Sequence, residues 1–148
     1  MSKTLTALAL SALAAAVPGA ALAQQETQPT GGGSFTLELN NATTVEANCR
    51  VTYVATNGMG TDLDSMTLEM AVFDAAGTVT DTRILLDFGA MAAGKTKAIA
   101  FDLAETTCED ISRLLVNDVA ECTAADGSEP DCLAALETSS RAEIDFGL

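Results

Sequence analysis

The chain has 148 residues, with 21 acidic side chains against seven basic ones, a formal charge of −14, no histidine and no tryptophan. Without histidine, a serine or cysteine nucleophile activated by an imidazole base is excluded. The acidic balance disfavours nucleic acid and anionic membrane surfaces, which repel it, and suits basic protein partners or cations.

Residues 1–23 read as a secretory signal peptide. Lys3 supplies the positive start, Leu5 to Val17 the short apolar run, Pro18-Gly19 the break, and Ala21-Leu22-Ala23 the small-residue cleavage pattern. The apolar run is too short to span a bilayer, and no longer one follows, so no integral membrane anchor is expected. No cysteine follows the cleavage site for lipid attachment, and no twin arginine precedes the run. The expected product starts at Gln24 and is periplasmic or secreted. It retains 125 residues and six basic side chains against 21 acidic ones, a formal −15. That is one domain's worth of chain. Residues 24–34, rich in Gln, Gly and Thr around Pro29, read as a flexible linker before a domain at 35–148.

From Phe35 onward the apolar period is two. The alternating sets are Phe35, Leu37, Leu39; then Cys49, Val51, Tyr53, Ala55; then Met66, Leu68, Met70, Val72. Ile84, Leu86, Phe88 and Ile99, Phe101, Leu103 follow. Such alternation predicts strands with one buried face. Turn chemistry separates them at Asn57-Gly58-Met59-Gly60, at Asp74-Ala75-Ala76-Gly77 and along Gly89 to Gly94. Arg113 to Cys122 and Ala142 to Phe146 read as further strands, Ala124 to Asp131 as a polar loop, and Cys132 to Glu137 as a helical turn. About seven short strands with turns between them predict an all-β, immunoglobulin-like β-sandwich.

Four cysteines in an exported chain read as two disulfides that staple this sandwich, and four allow three pairings. Cys122 and Cys132 flank a loop suited to local closure, which pairs Cys49 with Cys108 across 59 positions. The latter resembles the sheet-to-sheet bridge of immunoglobulin domains. A redox or zinc role is disfavoured, since there is no Cys-x-x-Cys and no histidine.

Several motifs imitate chemistry. Gly89 to Thr96 (GAMAAGKT) satisfies the phosphate-binding pattern GxxxxGK[ST], but the following Lys97 to Leu103 alternates like a strand, whereas a P-loop must open a helix. Asp87-Phe88-Gly89 imitates a kinase signature without its companions. Asn41-Ala42-Thr43 matches a glycosylation sequon, a pattern common by chance. Met59, Met66, Met70 and Met91 raise a soft-metal site, although Met66 and Met70 fall in a core-facing strand. Asp62 and Asp64 lie in a loop that lacks the full run of oxygen ligands for calcium. No catalytic residue, cofactor or metal ligand set is therefore assigned.

Met70-Ala71-Val72-Phe73-Asp74 followed by Ala75-Ala76-Gly77 resembles the F-x-L-Y-D and glycine turn of the FxLyD-like group of bacterial immunoglobulin-like domains. Val51 to Asn57 resembles that group's earlier strand ending in Asn, and Ala93-Gly94-Lys95-Thr96 with Phe101 its "pGkT…F" connection. The resemblance covers about Ala47 to Cys122. Met70, Val72 and Phe73 depart from the motif, and the four cysteines and the tail are additional. It implies an extracytoplasmic module without catalytic residues.

The expected function is a non-catalytic binding or accessory module for a protein partner, with basic surfaces the natural complement. Binding by strand addition or by end loops is expected, with Asn57, Met59, Asp62 and Asp64 as loop contacts. The alternative is a metal-handling protein that takes Ca²⁺ on the acids or copper on Met59. A carboxylate hydrolase is a third reading.

Overall fold

The computed structural model describes residues 33–148; the expected leader and the linker through Gly32 lie outside them. Eight strands follow in order: β1 (Phe35–Val45), β2 (Asn48–Asn57), β3 (Leu63–Asp74), β4 (Val79–Asp87), β5 (Thr96–Leu103), β6 (Ile111–Ala124), β7 (Leu136–Ser140) and β8 (Asp145–Gly147). A single 3-10 turn, Cys108–Asp110, precedes β6. They form two four-stranded sheets, ordered β5-β2-β1-β7 and β4-β3-β6-β8. The protein is an all-β sandwich.

The strands form where apolar residues alternate, and the inward set of each sheet packs on that of the other. Phe35, Leu37, Leu39, Val51 and Tyr53 meet Met66, Leu68, Met70, Leu86 and Leu114, none more than 2% exposed. Tyr53 sits amid Phe88, Phe101 and Phe146 in edge-to-face or tilted contacts, with ring centroids 5.2–6.2 Å from its own. Burial raises its phenol pKa well above the ordinary value.

Ordering β1-β2-β5 in one sheet and β4-β3-β6 in the other reproduces strands A-B-E and C′-C-F of an immunoglobulin-like sandwich. The tail departs from it. β7 adds to β1 in parallel, and the chain then crosses to the other sheet, where β8 adds to β6 in parallel. In an immunoglobulin domain the strand beside F is antiparallel, joined to F by a hairpin. Two hydrogen bonds fix the crossing: Ser140 Oγ donates to Ile144 O at 2.9 Å, and Arg141 N to Leu39 O at 2.9 Å.

Three local expectations change. The expected helical turn ends early: a turn at Cys132–Ala135 gives way to β7 at Leu136, because Leu136 is pulled into the core and its segment pairs with β1. The last strand begins at Asp145 rather than Ala142, since Arg141 to Ile144 make the crossing. β1 runs on past Leu39 through a bulge at Asn40, which shifts its register against β2.

Both disulfides are formed, Cys49–Cys108 and Cys122–Cys132. The first ties the start of β2 to the 3-10 turn before β6, so it bridges one end of the sandwich instead of its centre. The second fastens the end of β6 to the turn before β7. Among the described residues no helix is long and apolar enough to cross a membrane.

Candidate binding surface

Of the four residues expected to contact a partner, Met59 and Asp62 lie in the β2–β3 loop, Asn57 ends β2 and Asp64 stands at the start of β3; two of the four face inward. Asn57 is fully buried, which corrects its place among exposed contacts. Its Nδ2 donates to Thr61 O and to Met91 O, both at 2.8 Å, and its Oδ1 accepts from Met59 N at 3.1 Å. Its backbone also closes on the β4–β5 connection, donating to Lys95 O and accepting from Gly94 N. Met59 is half-buried against the core, its sulfur 3.9 Å from Cys132 Sγ. Asp62 is exposed, yet its carboxylate accepts from Ala93 N at 2.8 Å and its carbonyl from Ala125 N at 2.8 Å. Asp64 is exposed. The loop with its two flanking residues is thus a junction that pins two neighbouring connections, and only its two carboxylates are presented outward.

The GAMAAGKT stretch has no helix. Met91 is buried and exchanges backbone hydrogen bonds with Leu63, Gly94 takes a left-handed φ of 73°, and Thr96 opens β5. Met66 and Met70 are core residues. Among the described residues no three His, Cys, Asp or Glu side chains gather as a metal-holding group.

The four sheet edges differ more than the loops do. β7 and β8 are short, with five and three residues. β4 has nine residues and exposes Leu85 and Val79, but its pairing with β3 slips twice between Ile84 and Val79. Such bulges twist an edge away from further pairing. β5 has no such interruption: its eight residues pair one-to-one with β2 from Thr96↔Thr56 to Leu103↔Cys49.

Which backbone groups of β5 remain free follows from alternation in an antiparallel ladder. Asn57 turns both its N–H and its C=O toward the β5 side. The odd-numbered residues of β2 therefore face β5, and they pair with Lys97, Ile99, Phe101 and Leu103. Thr96, Ala98, Ala100 and Asp102 then direct their N–H and C=O outward, and all four are exposed. Ala98 and Ala100 offer little bulk to an approaching strand.

β5 and β4 border the same open side of the sandwich, where Ile84, Ile99 and Phe101 are only half-buried. Lys97 closes one end of it. Its side chain points inward and its Nζ donates to Phe88 O at 3.0 Å and Ala90 O at 2.5 Å. An inward-pointing charge is a common guard on an edge strand, so the unguarded stretch is Ala98 to Asp102. At the other end lies a groove of about 330 Å³, floored by Val72, Ile84, Leu103 and Ile111 and rimmed by Asp74, Asp81, Glu105 and Asp110. Arg50 grips Asp102 across the ladder with two hydrogen bonds of 2.6 and 2.7 Å, which hold the Asp102 carboxyl below its ordinary pKa.

A second groove, of about 380 Å³, lies beside the later part of β1 and is lined in part by Arg141, Glu109 and Glu143. Its one cation is already engaged, since Arg141 Nε donates to Glu38 at 2.8 Å. Asn40 and Arg141 together hold the Glu38 carboxyl below its usual range. This groove offers less unsatisfied chemistry than the open side.

The alternation of β5 is plain in the sequence but its importance is not, because whether a strand lies at an edge depends on topology. No family model matches the chain, and no curated protein or solved structure matches it either.

Proposed function

We propose that the protein is an exported, non-catalytic binding module of the periplasm or external medium, which takes an extended segment of a protein partner along the open edge of β5. The observation that carries this reading is the uninterrupted edge itself. Ala98 and Ala100 direct their backbone groups outward beside half-buried Ile99 and Phe101. An added strand gains main-chain hydrogen bonds from the first pair and apolar contact from the second. Export is supported by the leader pattern and by two disulfides, which persist in oxidising compartments. The non-catalytic reading is supported by the lack of histidine and the pairing of all four cysteines, which leaves neither imidazole base nor thiolate. Kinship with FxLyD-like domains remains our reading of Met70 to Asp74 at the end of β3, Gly77 in the β3–β4 turn, and Gly94-Lys95-Thr96 leading into β5.

The test is selection of random peptides on the oxidised protein and on Ala100→Pro. Proline removes the outward N–H and is tolerated on an edge whose N–H faces solvent. The reading expects selected peptides to bind wild type and to fail on Ala100→Pro. Peptides that bind both equally, or none at all on wild type, overturn it.

A further inference from the structure

We infer that the segment received by β5 is basic, with a Lys or Arg side chain that enters the groove beyond Leu103. This rests on the strand-addition reading and adds the chemistry of the partner. The open side treats its two ends differently. At the Phe88 end the chain supplies its own long cation, Lys97, whose stem runs inward and whose ammonium is taken by two carbonyls. At the Leu103 end the corresponding space is a groove of about 330 Å³ whose lining includes no basic residue.

The groove suits the same kind of side chain. Val72, Leu103 and Ile111 are 4–5% exposed and, with half-buried Ile84, form an apolar floor for a methylene stem. Asp74, Asp81, Glu105 and Asp110 surround the mouth, where a charged head would stay partly hydrated. Local hydrogen bonds use Oδ1 of Asp74 and of Asp81, to Ala76 N, Thr78 N and Arg83 N, and leave their Oδ2 atoms for a guest. An apolar guest would cover the floor but leave the carboxylates of the rim without a counter-charge. An acidic guest would be repelled. The whole chain, with 21 acids against seven bases, also steers a basic segment toward the site.

The experiment extends the peptide selection to Asp81→Asn/Glu105→Gln, two exposed positions; urea unfolding checks that the double variant folds as wild type does. On wild type, selected peptides should alternate apolar residues and share a Lys or Arg at one position. Replacing that residue by Leu in the synthetic peptide should weaken binding about five-fold, as for a partly solvated ion pair. Added salt should erode the same margin. On the double variant the basic preference should fade while the apolar alternation persists. If wild type selects strand-forming peptides with no basic preference, or if Leu binds as well as Lys, this inference fails and strand addition stands. If selected peptides bind Ala100→Pro as well as wild type, strand addition fails and this inference with it.

Discussion

Asn57→Ala tests whether the β2–β3 loop is a junction rather than a contact surface. The substitution removes one buried amide that serves three backbone groups: the carbonyls of Thr61 and Met91 and the N–H of Met59. The buried Met91 carbonyl keeps Leu63 N as a donor, so the loss there is one buried hydrogen bond, about 1 kcal/mol. The contacts to Thr61 and Met59 are part-buried, so water recovers some of their loss, and each contributes about 0.5–1 kcal/mol. The expected total is about 2 kcal/mol, a large share of the roughly 5–15 kcal/mol typical of a domain. Urea unfolding of the oxidised protein, followed by fluorescence of Tyr53, the one tyrosine in a chain without tryptophan, measures it directly. Asn57→Asp should be at least as harmful, because it keeps the acceptor for Met59 N but sets a buried carboxylate against two carbonyls. Asp64→Ala, in the same segment but exposed, should change stability by less than about 0.5 kcal/mol. A loss below about 1 kcal/mol for Asn57→Ala would refute the junction and return Asn57 to the surface contacts.

Three further expectations concern the core, the staples and the surface charges. Burial raises the Tyr53 phenol above its ordinary value, so its contribution to stability is present below about pH 10 and is lost as pH rises further, when only the unfolded chain ionises. Phenolate absorbance should accordingly appear only as the protein unfolds in alkali; reversible ionisation of the folded protein near pH 10 would contradict the burial. Removing the Cys49–Cys108 bridge, which closes 59 positions, should cost about 4 kcal/mol, and removing Cys122–Cys132, which closes 10, about 3 kcal/mol; thermal unfolding of paired Cys→Ala variants ranks them, and the reverse order counts against the chain-entropy argument. At acid pH, Glu38, Asp102, Glu109 and Asp126 all have lowered pKa values from hydrogen bonds, so their contributions are intact above the ordinary values of 4.5 for Glu and 3.8 for Asp and disappear as pH falls through the lowered ones. The urea midpoint should decline below about pH 4, and Asp102→Asn should flatten that decline.

Strands with full alternation are legible in the sequence itself. β2 and β5 turn every second side chain inward, β3 does so from Met66 to Met70, and the period of two follows from a sheet with one wet face. The β1–β2 hairpin is hidden because its turn, Glu46-Ala47, contains neither Gly nor Pro; Glu46 adopts a φ of 57° instead. β7, Leu136-Glu137-Thr138-Ser139-Ser140, buries only Leu136 in full and is held to β1 by backbone pairing, which leaves no apolar period to read. Asn57 followed by Gly58 reads as an ordinary turn, and its burial depends on Met91, 34 positions away. The open edge is hidden for a similar reason. Lys97 to Phe101 looks like any half-buried strand, and only the ordering β5-β2-β1-β7 places it outermost.

Residue-resolved amide exchange along β5 in the isolated, oxidised protein tests the central claim most directly. The account predicts that Ile99 and Phe101, bonded to β2, exchange far more slowly than Ala98 and Ala100, whose N–H groups face outward. A selected peptide should then slow Ala98 and Ala100 selectively. Equal, slow exchange at all four residues in the isolated protein would mean that the edge is already covered, and would contradict a binding surface at β5.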